Sequence, residues 1–274
     1  MPDRLRPQGR SSDALVAERR ERLLQYVLTA QEVAIADLAA EFGVSVMTVH
    51  RDLDSLVDAG LLRKSRGRAI APTGEELATS ARFRMRSAYA VKEAVAAEAA
   101  MLVSTCRVLF VDDSTSVLPV LNLLEDPSTL TVITNYLQAA RVCADLGATV
   151  HLLGGELIAE LDASFGATTV AAVASWHADA ALMGNPAVKD GRLYHPLPTS
   201  VALKRAMLAH AGRGVLFVDH TKLGRTALTN WASGDDFDDI VVDSDADPDE
   251  LAALRRYSCE VHVVEVPISS DTET

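Results

Sequence analysis

The sequence predicts an α/β protein in two parts: a small N-terminal three-helix unit closed by a basic hairpin, then a larger domain on a mostly parallel sheet. Three observations predict it. Residues 14–58 place apolar side chains at helical spacing in three segments, LLRKSRGRAIA (61–71) reads as two extended runs around a cationic turn, and after residue 105 seven short apolar runs alternate with helical stretches. At 274 residues and 49% hydrophobic composition, the chain can bury cores for about two domains. The boundaries read as 14–71 for the first domain, 72–104 for a linker passing into a helix, and 105–266 for the second.

In ALVAERRERLLQYVLTA (14–30), Val16, Leu23, Leu24, Val27 and Leu28 share one face opposite Arg and Glu, an amphipathic helix. A short segment around Val33 to Ile35 leads into DLAAEF, where Leu38, Ala39 and Phe42 face the same way. Gly43 supplies the positive φ that ends this second helix, and Ser45 is a good N-cap for a third beginning at Val46. In the third helix Val49, Leu53, Leu56 and Val57 face inward, which leaves Met47, Thr48, His50 and Arg51 on the exposed first turns. Two helices joined by a tight turn, the second presenting polar residues at its start, form a helix-turn-helix. The hairpin after it carries Arg63, Lys64, Arg66 and Arg68 and makes the unit a winged helix. Cations on a wing reach phosphates and supply affinity, while helix side chains reaching base edges supply sequence choice. Ser45 joins Met47, Thr48, His50 and Arg51 as the candidate DNA-contacting set of the helix. A three-helix protein-interaction module is the plainer reading of the same geometry.

Charge distribution agrees with a DNA partner although the whole chain has a formal net charge of -12. Residues 1–90 hold 14 Lys+Arg against 12 Asp+Glu, a net of +2, and the remainder holds 12 against 26, a net of -14. The acidity belongs to the second domain. No run of 18 apolar residues and no signal-peptide core is present, so the expected location is the cytoplasm, away from any membrane. Cys106, Cys143 and Cys259 are odd in number and sit in apolar runs, as small core residues do. No His pair stands at metal-ligating spacing, and no Walker loop or G-x-G-x-x-G follows a strand, so neither metal nor cofactor is expected.

In the second domain RVLFVDD, LTVITN, ATVHLLGG, DAALMGN, GVLFVDH, IVVDSD and EVHVVEV are near-continuous apolar runs ending in polar or Gly residues. Such runs are strands buried on both faces, and helices such as YLQAARVCADLG and TSVALKRAMLAHAG lie between them. Ligands of such sheets bind beyond the carboxyl ends of the strands. That rule selects Asp112, Asp113, Ser114, Thr115 and Ser116, then Thr134 and Asn135, then Gly154, Gly155 and Glu156, then Gly184 and Asn185, then Asp219, His220, Thr221 and Lys222. Lys204, on the helix after Pro198, and Lys222 are isolated cations in an acidic domain, which favours an anionic ligand. Taken alone, Asp112 or Ser114 serves equally well as a helix cap, as does Asn135, and Lys222 as a solvated loop residue.

VSVMTVHRDLDSLVDAGLLRK closely resembles the signature of DeoR-type bacterial transcription regulators, with Ser45, Thr48, Arg51, Asp52, Leu53, Leu56, Gly60 and Arg63 where that pattern has them. His50 replaces an Arg of the pattern, and SRGRA replaces a double-Gly wing tip. The order VDDSTS, VITN, HLLGGEL, SFG, DAALMG, ALKRAM and VDHTKLGR is similar to the sensor domain of the same family, with Ser114 for a Gly, Ser116 for a Thr and Ser200 for an acid. That domain is similar in fold to ribose-5-phosphate isomerase and glucosamine-6-phosphate deaminase. The resemblance implies a repressor of a carbohydrate-utilisation operon, not an enzyme, that binds operator DNA; because a symmetric operator matches a symmetric protein, a homo-oligomer is expected. It implies a phosphorylated-sugar effector held by Asp112, Ser114, Thr115, Ser116, Thr134, Asn135, Gly154, Gly155, Lys204, Asp219 and Lys222. The rival reading is a sugar-phosphate isomerase or deaminase, for which Asp112, Asp113, Glu156 and His220 are available as acid–base groups.

Overall fold

A computed structural model describes residues 12–58, 61–71, 84–85 and 89–266. The expected junction at Ala59 and Gly60 and residues 72–83 and 86–88 of the expected linker segment lie outside them. The chain divides into two compact units, 1–83 and 84–274.

The first unit is α1 (Ser12–Ala30), β1 (Glu32–Ala34), α2 (Ile35–Glu41), α3 (Val46–Asp58), β2 (Arg63–Ser65) and β3 (Arg68–Ile70). Leu23, Leu24, Val27, Leu38, Val49, Leu53 and Leu56 meet in one apolar core, so the helical periodicity of the sequence becomes the packing of three helices. Gly43 has φ 61 in the turn between α2 and α3, and the Ser45 hydroxyl accepts the Thr48 N–H at 3.1 Å as the N-cap of α3. The hairpin closes on Arg66 and Gly67, both at positive φ (48 and 75), which is the two-residue turn that matches strand twist. The segment around Val33 forms a third strand, giving the antiparallel order β1-β3-β2. Asp52, 2% exposed, accepts from Arg19 Nε at 2.7 Å and Arg20 Nε at 2.9 Å, and so ties α3 to α1.

The second unit begins with α4 (Tyr89–Leu102), followed by β4 (Val108–Val111), α5 (Val117–Leu121), β5 (Thr131–Thr134), α6 (Leu137–Asp145) and β6 (Thr149–Leu152). It continues through β7 (Glu156–Ile158), β8 (Ala163–Phe165), α7 (Ala167–Val173), β9 (Ala180–Gly184), β10 (Ala187–Lys189), β11 (Arg192–His195) and α8 (Pro198–Ala209). The last elements are β12 (Gly214–Val218), β13 (Thr229–Ser233), β14 (Asp239–Asp243), α9 (Pro248–Leu254) and β15 (Glu260–Val264). Seven strands form one parallel sheet in the order β15-β14-β12-β9-β4-β5-β6. They are the seven apolar runs of the sequence. Strands β7 and β8 make a hairpin, and β10, β11 and β13 a small antiparallel sheet. Helix α4 buries Val95, Ala96, Ala99 and Ala100 in the core of this unit, where it packs against β12, β14 and β15.

The strand order places the ligand site. The chain runs β4, β5, β6 toward one edge, then returns to lay β9 on the other side of β4 and runs outward through β12, β14 and β15. The reversal between β4 and β9 opens a crevice beyond their carboxyl ends, where Asp112 and Gly184 stand.

Candidate functional site

On the first unit, the start of α3 exposes Val46 and Met47, 48% and 63% accessible, with Arg51 exposed and Thr48 and His50 half-buried. The hydroxyls of Ser45 and Thr48 lie 2.9 Å apart, so both are engaged in the cap, and the one O–H that does not donate in this pair, the unused lone pairs and the Thr48 methyl are what remains for a base. The wing is tied to α3. Lys64 Nζ lies 2.5 Å from Asp54 Oδ1 and donates to His50 Nδ1 at 3.1 Å. Arg68 pairs with Glu32 across β1 and β3, while Arg66 stands exposed at the turn. Arg63 is exposed on β2.

On the second unit, Asp112 at the end of β4 is the centre of the crevice. Its Oδ1 accepts the Ser114 N–H at 2.9 Å, and its Oδ2 accepts the Gly184 N–H at 3.1 Å and the Lys204 ammonium. Lys204 also donates to the Gly184 carbonyl at 2.9 Å, and both charged side chains are nearly inaccessible to solvent. Burial pushes the Asp112 carboxyl up, and the Lys204 charge with the backbone donor pulls it back. A Cβ at residue 184 would collide with the Ser114 hydroxyl, so a glycine is what lets the two strand ends approach.

The loop continues with Ser114, whose Oγ accepts the Ser116 N–H at 3.2 Å, and Thr115, whose Oγ1 accepts from Lys92 at 3.2 Å. Ser116 precedes α5 without capping it through its side chain. The Thr134 hydroxyl accepts the Tyr136 N–H at 3.0 Å. Asn135 does not cap the next helix: its amide donates to the Ser164 carbonyl at 3.1 Å, joining β5 to β8. The Gly154 carbonyl accepts the Thr169 hydroxyl at 2.8 Å, and Gly155 begins the exposed approach to β7. Asp219 caps the turn after β12 through Thr221, and Lys222 lies 3.8 Å from its Oδ2 with 28% of the side chain accessible. Asn185 is spent on structure, since its amide holds the Ala187 and Tyr194 carbonyls and its oxygen accepts Trp231 Nε1–H at 3.0 Å.

The structure adds groups that strand-end reasoning missed. Lys92 reaches the loop from α4, donating to Thr115 and to the Arg84 carbonyl. Burial, then the Lys222 charge, brings its ammonium down to about 8. Arg84 Nη1 donates to the Asp113 carbonyl at 3.2 Å. His195, at the end of β11, is pushed down to about 3 by burial and then by the Lys204 charge, so it stays neutral. Tyr136 and Ser200 are fully buried, and Ser200 stands one turn before Lys204 on the same face of α8. A lone lysine on an Ala-rich helix was the one sequence signal for Lys92. Two groups of metal-ligating type, His220 with Asp243 and Asp245, and Asp239 with Glu260 and His262, also gather from separate positions; His220 Nδ1 lies 2.7 Å from Asp243 Oδ1.

Two family profiles match this arrangement: the DeoR-like helix-turn-helix domain over residues 19–75, and the DeoR C terminal sensor domain over residues 87–244, more than half of the chain. The chain belongs to the DeoR family. It is a DeoR-type transcription regulator with a DNA-binding helix-turn-helix unit followed by a sensor unit. It is 27% identical over 249 residues to the HTH-type transcriptional repressor GlcR of Bacillus subtilis, covering 90% of this chain and 96% of that one. It is 28% identical over 252 residues to the glycerol-3-phosphate regulon repressor of Escherichia coli, covering 90% and 98%. Among solved structures, ribose 5-phosphate isomerase A from Neisseria gonorrhoeae is similar with a TM-score of 0.35 and 10% identity over 48% of this chain and 52% of that one. At that score the likeness decides nothing about the chemistry of this DeoR-family chain. No helix among the described residues is long and apolar enough to cross a membrane.

Proposed function

We propose that this protein is a cytoplasmic repressor of a carbohydrate-utilisation operon that binds symmetric operator DNA as a homo-oligomer and is controlled by a phosphorylated sugar. The observation that carries the reading is the joining, in one chain, of a winged helix with exposed Met47, Arg51 and Arg66 to a cation-lined crevice at the switch point of a parallel sheet. Phosphate contacts on the wing give affinity and α3 gives sequence choice. An anion held beyond β4, β9 and β12 shifts the population competent for DNA. Coupling of roughly 1–3 kcal/mol is the usual size, and it is reciprocal.

A regulatory rather than catalytic role is supported by how the acid–base groups are spent. Asp112 is locked to Lys204, His220 is held by Asp243, and Glu156 is exposed on β7, so three of the four acid–base candidates are paired or solvent-facing, and Asp113 alone is left as a buried carboxylate. The test is a titration of labelled DNA from upstream of the protein's own gene, with and without a panel of hexose phosphates, pentose phosphates and glycerol 3-phosphate. Binding that one panel member shifts supports the reading. Absence of specific DNA binding, or turnover of a panel member, overturns it.

A further inference from the structure

We infer that Arg84 is the residue that grips the charged group of the effector, through the Nε–Nη2 edge of its guanidinium. The inference rests on the proposed sensor function and names the anion contact within it. All five buried side-chain polar atoms without a hydrogen-bond partner among the described residues belong to four residues: Nε and Nη2 of Arg84, Oδ1 of Asn135, the hydroxyl of Tyr136 and the hydroxyl of Ser200. Buried polar groups are nearly always satisfied, so orphans that follow β5 (Asn135, Tyr136), open α8 (Ser200) and sit on the arginine bonded to the loop after β4 (Arg84) mark a place for something that satisfies them.

Their chemistry describes the occupant. The Nε–Nη2 edge of a guanidinium is the fork that binds a carboxylate or phosphate with two parallel hydrogen bonds. In Arg205 this same edge is filled, with Nε and Nη2 at 3.1 and 2.9 Å from the Trp231 carbonyl. In Arg84 only Nη1 is used, on the Asp113 carbonyl. The other cations at the crevice have partners: Lys204 has Asp112 and the Gly184 carbonyl, Lys222 faces Asp219, and Lys92 has Thr115 and the Arg84 carbonyl. The Tyr136 and Ser200 hydroxyls can donate or accept, and Asn135 Oδ1 accepts, a mixture that suits the hydroxyls of a small polyol. The hydrogen bond to the Asp113 carbonyl sets the Arg84 guanidinium beside the loop after β4, and its charge acts on both Tyr136 and His195. The ligand class is therefore a hydroxylated compound with one oxyanion group, the anion on Arg84 and the hydroxyls toward Tyr136, Asn135 and Ser200.

The position of Arg84 gives the contact its regulatory meaning. It is the first residue of the second unit, joined directly to Phe83, the last of the first. Lys92 fixes its backbone by donating to its carbonyl, so an anion drawn onto the guanidinium acts on the point where the chain enters the sensor.

The test uses the full chain and calorimetric titration with hexose 1- and 6-phosphates, pentose phosphates, glycerol 3-phosphate, their unphosphorylated parents and inorganic phosphate. The phosphorylated compound that binds the wild type should lose about 30-fold or more in affinity to Arg84→Gln, while its neutral parent binds both proteins alike. Equal affinity for the phosphorylated compound in both proteins overturns the role of Arg84 and leaves the sensor reading standing. Binding of no panel member to the wild type removes the sensor reading and this inference with it. If Arg84→Gln melts too low to titrate, Arg84→Lys replaces it, keeping the charge but losing the fork. A loss of about tenfold is then expected, and unchanged affinity overturns the inference.

Discussion

Lys204 donates to Asp112 Oδ2 and to the Gly184 carbonyl, so one buried ammonium joins the ends of β4 and β9. Breaking such a pair leaves a buried charge without compensation, and Lys204→Met should cost about 3–5 kcal/mol of unfolding free energy. Asp112→Asn added to it should restore part of the loss. Lys222→Met, whose side chain is 28% accessible and 3.8 Å from Asp219, should change stability by no more than about 0.5 kcal/mol while weakening, without abolishing, the effector response of DNA binding. Urea denaturation of the three variants, with ligand titration of Lys222→Met, separates a structural cation from a ligand-facing one. An unchanged midpoint in that titration makes Lys222 a solvated loop residue.

On the wing, Arg66→Ala should weaken binding to all DNA sequences and lower the salt slope by about 1. Lys64 is held by Asp54, so Asp54→Asn should raise non-specific affinity by freeing that cation. Met47→Ala or His50→Ala should change base preference by ~1–3 kcal/mol per lost contact. Anisotropy titrations across salt concentrations on two unrelated duplexes read all three; a salt slope unchanged in Arg66→Ala removes that residue from the interface.

Asp52→Asn should destabilise the first unit by about 2 kcal/mol, because two arginines lose their common acceptor. Burial raises the Asp52 carboxyl, but hydrogen bonds and charge from Arg19 and Arg20 outweigh it and hold it low. A carboxyl depressed by folding contributes stability above its unfolded value and loses it as pH falls through the folded one. The wild type should therefore lose an increment of stability in acid, below the ordinary carboxylate range, that Asp52→Asn lacks. Thermal melts at pH 3 and pH 7 decide it.

Lys92 gives a pH response of the same sense in an alkaline window. Its ammonium is brought down to about 8 by burial and the neighbouring Lys222, against the pull of Asp219, with Arg84 adding a further unfavourable charge. Between pH 8 and the ordinary lysine range the unfolded chain holds a proton that the folded chain has released, so stability rises with pH across that window. Anion affinity should fall across the same window as Lys92 loses its charge beside Thr115. Calorimetry at pH 7 and pH 9 on wild type and Lys92→Met checks this, and an equal pH dependence in the two proteins contradicts it. His195 is neutral throughout this range.

The parallel sheet was legible because a strand buried on both faces must be apolar at every position, and GVLFV or AALMG has no other soluble explanation. The strands β7, β8 and β10 were not, since three residues such as Glu156–Ile158 cannot display a period and pair only because a partner is brought to them. The same division runs through the crevice. Asp112 and Asp219 follow from the strand-end rule, whereas Arg84, Lys92 and Ser200 arrive from helix faces and from the chain junction. Asn185 shows the rule overreaching: it stands at a strand end, yet its amide is consumed by the small antiparallel sheet.

The hairpin tip sets two demands on one position. Arg66 sits at φ 48, where a side-chain-bearing residue pays roughly 1 kcal/mol that asparagine or glycine largely avoids. Arg66→Asn should therefore raise the unfolding free energy of the first unit by about 0.5–1 kcal/mol and remove a cation from the wing. Equilibrium unfolding paired with a DNA titration of this one variant would show both effects; a variant no more stable than the wild type would mean the left-handed turn holds Arg66 without strain. The wing tip is then a site where folding and function favour different amino acids, and a search for stabilised forms of this regulator would select, at residue 66, forms that hold DNA less well.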